Sequence, residues 1–325
     1  MLYLDFAIVN FFLWTSGTVL VLSPAMGQPQ ARTESRLPDY AGIDTWRDTD
    51  ILLALARGQE RAIAAVRAAI PAIAKAAALV AESLSAGGCL YYAGAGTSIR
   101  VGVQDGSELP ATFGISESRI GYLIAGGRDA MFDTLAEAED DAGAGKQAAA
   151  VLKPGDALVA IAASGSTPYT VAAAREARRR GACVIAVVNN PATPLAAAAG
   201  IEVFLDSGPE VISGSTRLGA GTAQKAALNL LSTLANIKLG AVHDGQMVNV
   251  KADNEKLRNR AKMIVSRISG AAEDRAAAAL DASNGEVKPA VLICAGARSA
   301  ETAREILAGA GGNLRLALEC LAATR

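Results

Sequence analysis

Histidine is nearly absent: His243 is the only one among 325 residues, and it follows a long apolar helix, where a surface or interface position is expected. The four cysteines, Cys89, Cys183, Cys294 and Cys320, lie far apart with no paired spacing. Cys89 and Cys183 fall in apolar runs that read as buried strands, so free core thiols are expected. No His/Cys cluster is present to hold a transition metal, which leaves carboxylates, hydroxyls and lysines as the groups available for catalysis. An excess of one charge is missing too: 31 basic residues face 32 acidic ones, a net charge of −1. With no basic run, a nucleic-acid partner is not expected. Nucleotide loops are also absent. The stretch Gly94 to Glu108 lacks the Gly-Lys-Ser/Thr ending of a Walker loop and has too few leading glycines for the dinucleotide fingerprint.

A chain of this length holds one large domain or two moderate ones with ample core. The first residues differ from the rest. Phe6 to Leu22 is apolar and aromatic, yet no Lys or Arg precedes Arg32, and Asp5 sits where the positive end of a secretory signal belongs. Signal, short anchor and start-site extension with initiation at Met26 are the open readings; the missing positive region favours the extension. From Gly27 to Trp46 the chain is polar, with Pro29, Pro38 and Gly42, and reads as an extended arm. Thr49 is placed to cap a helix over residues 50–57. A second helical stretch runs over residues 59–84, broken or restarted at Pro71 and ended by Gly87-Gly88.

Five apolar runs of strand length follow: Cys89–Ala93, Ile120–Ala125, Ala157–Ala163, Cys183–Val188 and Ile201–Leu205. Strands that are apolar throughout and alternate with helices argue for an α/β fold, a five-stranded parallel sheet flanked by helices. Every strand-to-helix loop then lies at one edge, where such sheets bind ligands. Three segments at that edge share a chemistry: Gly96-Thr97-Ser98, Ser164-Gly165-Ser166-Thr167 ahead of Pro168, and Ser213-Gly214-Ser215-Thr216. Hydroxyls and backbone N–H groups at helix starts surround a phosphate without a stack of lysines. Phosphate binding is therefore the expected use of that edge.

Together these segments resemble the sugar isomerase (SIS) domain family and, more closely, the N-acetylmuramic acid 6-phosphate etherases. The similarity runs from Thr33-Glu-Ser-Arg36 to about residue 315, through Gly94-Ala-Gly-Thr-Ser98, Leu123-Ile-Ala-Gly-Gly127, Ala138-Glu-Asp140, Gly208-Pro-Glu210, Ala220-Gly-Thr-Ala-Gln-Lys225 and Asn254-Glu-Lys-Leu257. The resemblance implies a flavodoxin-like sheet with N-terminal helices and a small C-terminal helical subdomain. Boundaries are expected at 1–46 (extension and arm), 47–267 (SIS domain) and 268–325 (helical subdomain). It implies a lyase that removes D-lactate from a phosphorylated amino sugar, with neither metal nor cofactor, in a cytoplasmic homodimer, with no membrane partner. It makes Glu108 the acid and Glu139 the base, because elimination needs one ionised and one protonated carboxyl group. Arg100, Arg217 and Lys225 are the candidate cations left to bind the phosphate.

Three departures touch the binding loops. Ile99 stands where the family has glycine, Ser166 replaces an arginine, and Gly219 replaces a lysine. A β-branched Ile99 is expected either to be strained, if φ is positive there, or to narrow the pocket. Should residues 129–139 form a helix leaving the loop edge, Glu139 would lie about 15 Å from it; an irregular segment or a second subunit must then supply the carboxylate. A non-catalytic sugar-phosphate-binding regulator and an enzyme for another phosphosugar remain as alternative functions.

Overall fold

The computed structural model describes residues 31–133, 136–250 and 255–323, so the expectations for residues 1–25 lie outside it. The first helix, α1 (Asp48–Ala68), runs unbroken through Gly58 and begins ahead of Thr49, which does not cap it. Gly58 marks a close approach: a side chain there would begin 3.0 Å from Val211 Cγ2. In α2 (Ile70–Ser85) Pro71 is the second residue, where its missing N–H costs nothing. Five strands follow with their helices. They are β1 (Leu90–Gly94), α3 (Gly96–Phe113), β2 (Ile120–Ile124), α4 (Ala142–Ala148), β3 (Ala157–Ala162), α5 (Pro168–Arg179), β4 (Cys183–Val188), α6 (Pro194–Ala198), β5 (Ile201–Phe204) and α7 (Gly219–Lys238).

All five strands pair in parallel, in the order β2-β1-β3-β4-β5. Every residue of β3 is buried because its two faces serve two cores. Ala157, Val159 and Ile161 face a cluster built from α1, α2, α3 and α7. Leu158, Ala160 and Ala162 face the cluster that holds α5 and α6. This explains the uninterrupted apolar runs. Cys183 is exposed and Cys89 half-buried, each at the head of its run, so neither is the core thiol expected. All four cysteines are free.

After α7 a short hairpin, β6 (Val242–His243) and β7 (Gln246–Met247), turns on Asp244 and Gly245, both at positive φ. His243 is half-buried there, and burial, followed by the nearby Arg315 charge, lowers its pKa below the usual value. The chain ends in α8 (Glu255–Ser269), α9 (Glu273–Ala282), α10 (Val287–Cys294), α11 (Ala300–Gly309) and α12 (Leu314–Ala323). Their apolar faces form a separate cluster that reaches back to Val248 and includes Ala261, Ile264 and Val265 of α8. This cluster takes in residues on both sides of position 268.

One polar knot ties the first core together. Asp105 on α3 is buried and accepts hydrogen bonds from Tyr92 Oη (2.8 Å), Asn229 Nδ2 (2.7 Å) and Ser232 Oγ (2.9 Å). Burial first, and the Asp105 carboxylate second, hold the Tyr92 hydroxyl protonated well above its ordinary range. Asp105→Ala strands three donors in the core and should cost about 2–4 kcal/mol. Urea unfolding of wild type and variant checks this, and a loss under about 1 kcal/mol would show the knot to be dispensable.

Candidate active site

The site is set by a change of direction in the sheet. β1 and β3 are neighbours, with Gly94 opposite Ile161. The chain leaves β1 toward the face that holds α3 and leaves β3 toward the face that holds α5. Diverging connections open a crevice at the strand ends, the usual ligand position in open α/β sheets. Gly94 permits the close approach, since a side chain there would begin 2.8 Å from the Ile161 carbonyl oxygen.

Two of the three expected loops flank this crevice with free donors. α3 begins at Gly96, at φ +51°, and only from Ile99 onward does a backbone N–H reach a carbonyl of the preceding turn (Ile99 N to Ala95 O, 3.3 Å). The N–H groups of Gly96, Thr97 and Ser98 are thus the open N-terminus of an 18-residue helix. α5 begins as expected, with Thr167 as N-cap and Pro168 first, but the Thr167 side chain makes no capping bond and its hydroxyl stays available. Ser164 Oγ accepts the Ser166 N–H at 3.2 Å, which leaves its own proton to donate. Gly165, at φ +68°, lies so close to Thr193 that only glycine fits.

The third loop behaves differently. The start of α7 is already filled: Gly219 N and Ala220 N donate to the Glu210 carboxylate at 2.9 Å each. Glu210 is buried, so the Gly208-Pro-Glu210 motif supplies a helix cap from within the chain. Gly219, the residue found in place of lysine, leaves that carboxylate room, for a side chain on it would begin 3.1 Å from Glu210 Oε2. Ser213 is also committed, donating to the Glu34 carbonyl at 2.7 Å. Ser215 and Thr216 remain half-buried. A side chain on Gly221 would touch both Thr216 O and Thr97 Cγ2 at 3.3 Å, so the first and third loops meet there.

The polar arm is part of this edge. Thr33 is buried. Asn190, at the exit of β4, donates to Thr33 Oγ1 (3.2 Å) and Ala163 O (2.8 Å) and accepts from Arg32 N (2.7 Å). Arg32 pairs with Asp206 at 2.9 Å. Sequence reasoning missed Asn190 and the docking of Thr33. The signal was Asn189-Asn190 directly after an apolar strand, at the same edge as the serine loops.

Glu139 reaches the loop edge within its own chain. Among the described residues of 129–139 there is no α-helix; short 3-10 turns occupy Asp129–Met131 and Ala136–Glu139. Ala138 packs with Ala95, Ala125 and Tyr169. Glu139 Oε1 then lies 3.1 Å from the point where a side chain on Gly96 would begin. Glu108, in contrast, is exposed twelve residues along α3, about 18 Å from Gly96 at 1.5 Å per residue. One chain does not bring the two carboxylates together.

The remaining candidates divide. Arg100 donates from Nη2 to Ala130 O at 3.1 Å, bracing the turn that leads to Glu139 instead of pointing at an anion. Lys225 is exposed on α7. Ile99 is neither strained nor in the pocket: it lies inside α3, is 1% exposed, and packs on Gly94 in the core.

The SIS domain family model matches residues 57–189. A protein of Deinococcus radiodurans named N-acetylmuramic acid 6-phosphate etherase is 46% identical over 289 residues, covering 88% of this chain and 95% of its own. One of the same name from Symbiobacterium thermophilum is 48% identical, covering 80% and 87%. Another, from Rubrobacter xylanophilus, is 43% identical, covering 88% and 95%.

Glu210→Ala leaves two buried N–H groups of α7 unpaired and should destabilise the chain by about 1–3 kcal/mol. Thermal unfolding measures it, and an unchanged midpoint would mean that water or another residue caps the helix equally well.

Proposed function

Since this chain belongs to the N-acetylmuramic acid 6-phosphate etherase family, we propose that it cleaves the D-lactyl ether of N-acetylmuramic acid 6-phosphate, giving N-acetylglucosamine 6-phosphate and D-lactate. The open N-terminus of α3, with Thr97 and Ser98, and the α5 loop, with Ser164, Ser166 and Thr167, hold the phosphate; Ser215 and Thr216 close the far side. Hydroxyls and backbone N–H groups carry this binding, because an open helix N-terminus needs no lysine to attract an anion. That also accounts for tolerance of Ser166 where the family has arginine.

In the open-chain sugar the C1 aldehyde acidifies the proton on C2. Glu139 removes that proton, the C3–O bond breaks, and Glu108 protonates the departing lactyl oxygen. Water then adds to the unsaturated aldehyde: its hydroxyl goes to C3 with a proton passing to Glu108, and Glu139 returns its proton to C2. Both glutamates finish as they began. The observation that supports this reading is the Glu139 carboxylate held against Gly96 at the mouth of the crevice.

Glu108 sits at the wrong end of α3 to serve its own chain's crevice, and its exposure leaves it free to serve another. The site is accordingly shared: Glu139 and the loops come from one protomer and Glu108 from its partner in a homodimer. A cytoplasmic setting belongs to the same reading, supported by four cysteines that all remain free thiols.

Purified protein given N-acetylmuramic acid 6-phosphate should release D-lactate, detected with D-lactate dehydrogenase. No release, from protein that is folded, rejects the activity. Sharing is tested by mixing inactive Glu108→Gln and Glu139→Gln chains. Random pairing should restore about a quarter of wild-type turnover, because half the dimers carry one intact site of two. Mixtures as inactive as the parents would place both carboxylates on one chain.

A further inference from the structure

A cavity of about 780 Å³ lies at the opposite end of α3 from the crevice. Gly114, which ends α3, and Asn249 form one wall; α8, the end of α9 and the start of α10 form the others. Gly114 is eighteen residues beyond Gly96, about 27 Å along the helix. Glu108 does not line the cavity. The volume falls within the range of pockets that take small metabolites.

Its polar lining is of two kinds. Arg258 and Lys288 are basic, whereas Asp281 and the amides of Asn249, Asn259 and Asn284 offer acceptors. Two further charged residues of the lining are already paired: Lys262 with Glu273 at 2.9 Å and Glu286 with Arg304 at 2.7 Å. Arg258 and Asp281 form no ion pair among the described residues. Lys288 is half-buried and donates to Gly312 O at 2.7 Å, leaving two of its three protons unused. Burial pulls this ammonium down to about 8, the reverse of what a bound anion would do.

Two cations with spare donors suit a phosphate. An unpaired aspartate beside them does not suit a bare anion, but it is a good acceptor for sugar hydroxyls, as are asparagine amides. We propose that this cavity is a second ligand site, for a sugar phosphate, with Lys288 and Arg258 on the phosphate and Asp281 with the asparagines on the sugar ring. The site is lined chiefly by the C-terminal helices, and it shares no residue with the loops or the glutamates assigned to the reaction.

Limited acetylation at pH 8, read by peptide mass spectrometry, reports on Lys288 directly, because an amine at about its pKa is roughly half deprotonated while ordinary lysines are almost wholly protonated. Glucose 6-phosphate should slow Lys288 acetylation several-fold at concentrations where glucose and inorganic phosphate do not. Asp281→Ala and Arg258→Ala should each abolish most of the protection by glucose 6-phosphate at those concentrations. Absence of protection, or equal protection by inorganic phosphate, overturns the proposal. So does loss of D-lactate release in a folded Lys288→Met variant, since the cavity would then be part of the reaction site.

Discussion

The molecule depends on a divergence. Two adjacent parallel strands, β1 and β3, send their helices to opposite faces of the sheet, and the backbone between them has nothing of its own to pair with. The free N–H groups of α3 and α5 need an acceptor at that edge. An anion would serve better than a neutral acceptor there, because it adds charge to the hydrogen bonds. The buried strands cannot shift to relieve this, being packed on both faces, so the donors stay where the sheet holds them. The proposed binding of a phosphate by serines and threonines relies on this rigidity.

The third hydroxyl loop shows the same physics used in another way. Helix α7 also starts at this edge, and its first N–H groups would attract an anion as strongly as those of α3. Glu210 occupies them instead, from inside the protein. An internal carboxylate removes a competing anion site and fixes the first turn of α7, where Thr216 stands near Thr97. The arm completes the edge: Asn190 bonds Thr33, Ala163 and Arg32, while Ser213 bonds Glu34. What looks in sequence like a linker is a strap across three loops, and Asp105 performs the corresponding task in the core, holding α3 to α7 through Tyr92, Asn229 and Ser232.

The two glutamates illustrate how placement along a helix decides chemistry. Glu139 reaches the crevice from a short 3-10 turn, Ala136–Glu139, that lies between the positive-φ pair Gly126-Gly127 and the Asp141 cap of α4. Ala138 then packs on Ala95. Glu108 is held by α3 itself, and no local rearrangement shortens a helix by a dozen residues. A second copy of the chain is the simplest source of the missing partner for each, which makes assembly part of catalysis in this reading.

The strands, their parallel pairing and the serine loops were legible because they depend on local rules: continuous apolar runs demand burial on both faces, and Thr-Pro or Gly-Thr-Ser marks a helix start whatever surrounds it. Pro71 at the head of α2 was readable for the same reason. Other features depend on residues far apart in the chain. Separate helical stretches were expected over 50–57 and 59–84, yet α1 runs through Gly58, whose missing side chain lets Val211 pass close by. Ile99 looked like an intrusion into the pocket, but the turn of α3 points it into the core beside Gly94. Whether Glu210 caps a helix, whether Thr33 is buried, and how far Glu108 lies from Glu139 are distances across the fold. Periodicity and spacing carry no such distances, and only the packed chain sets them.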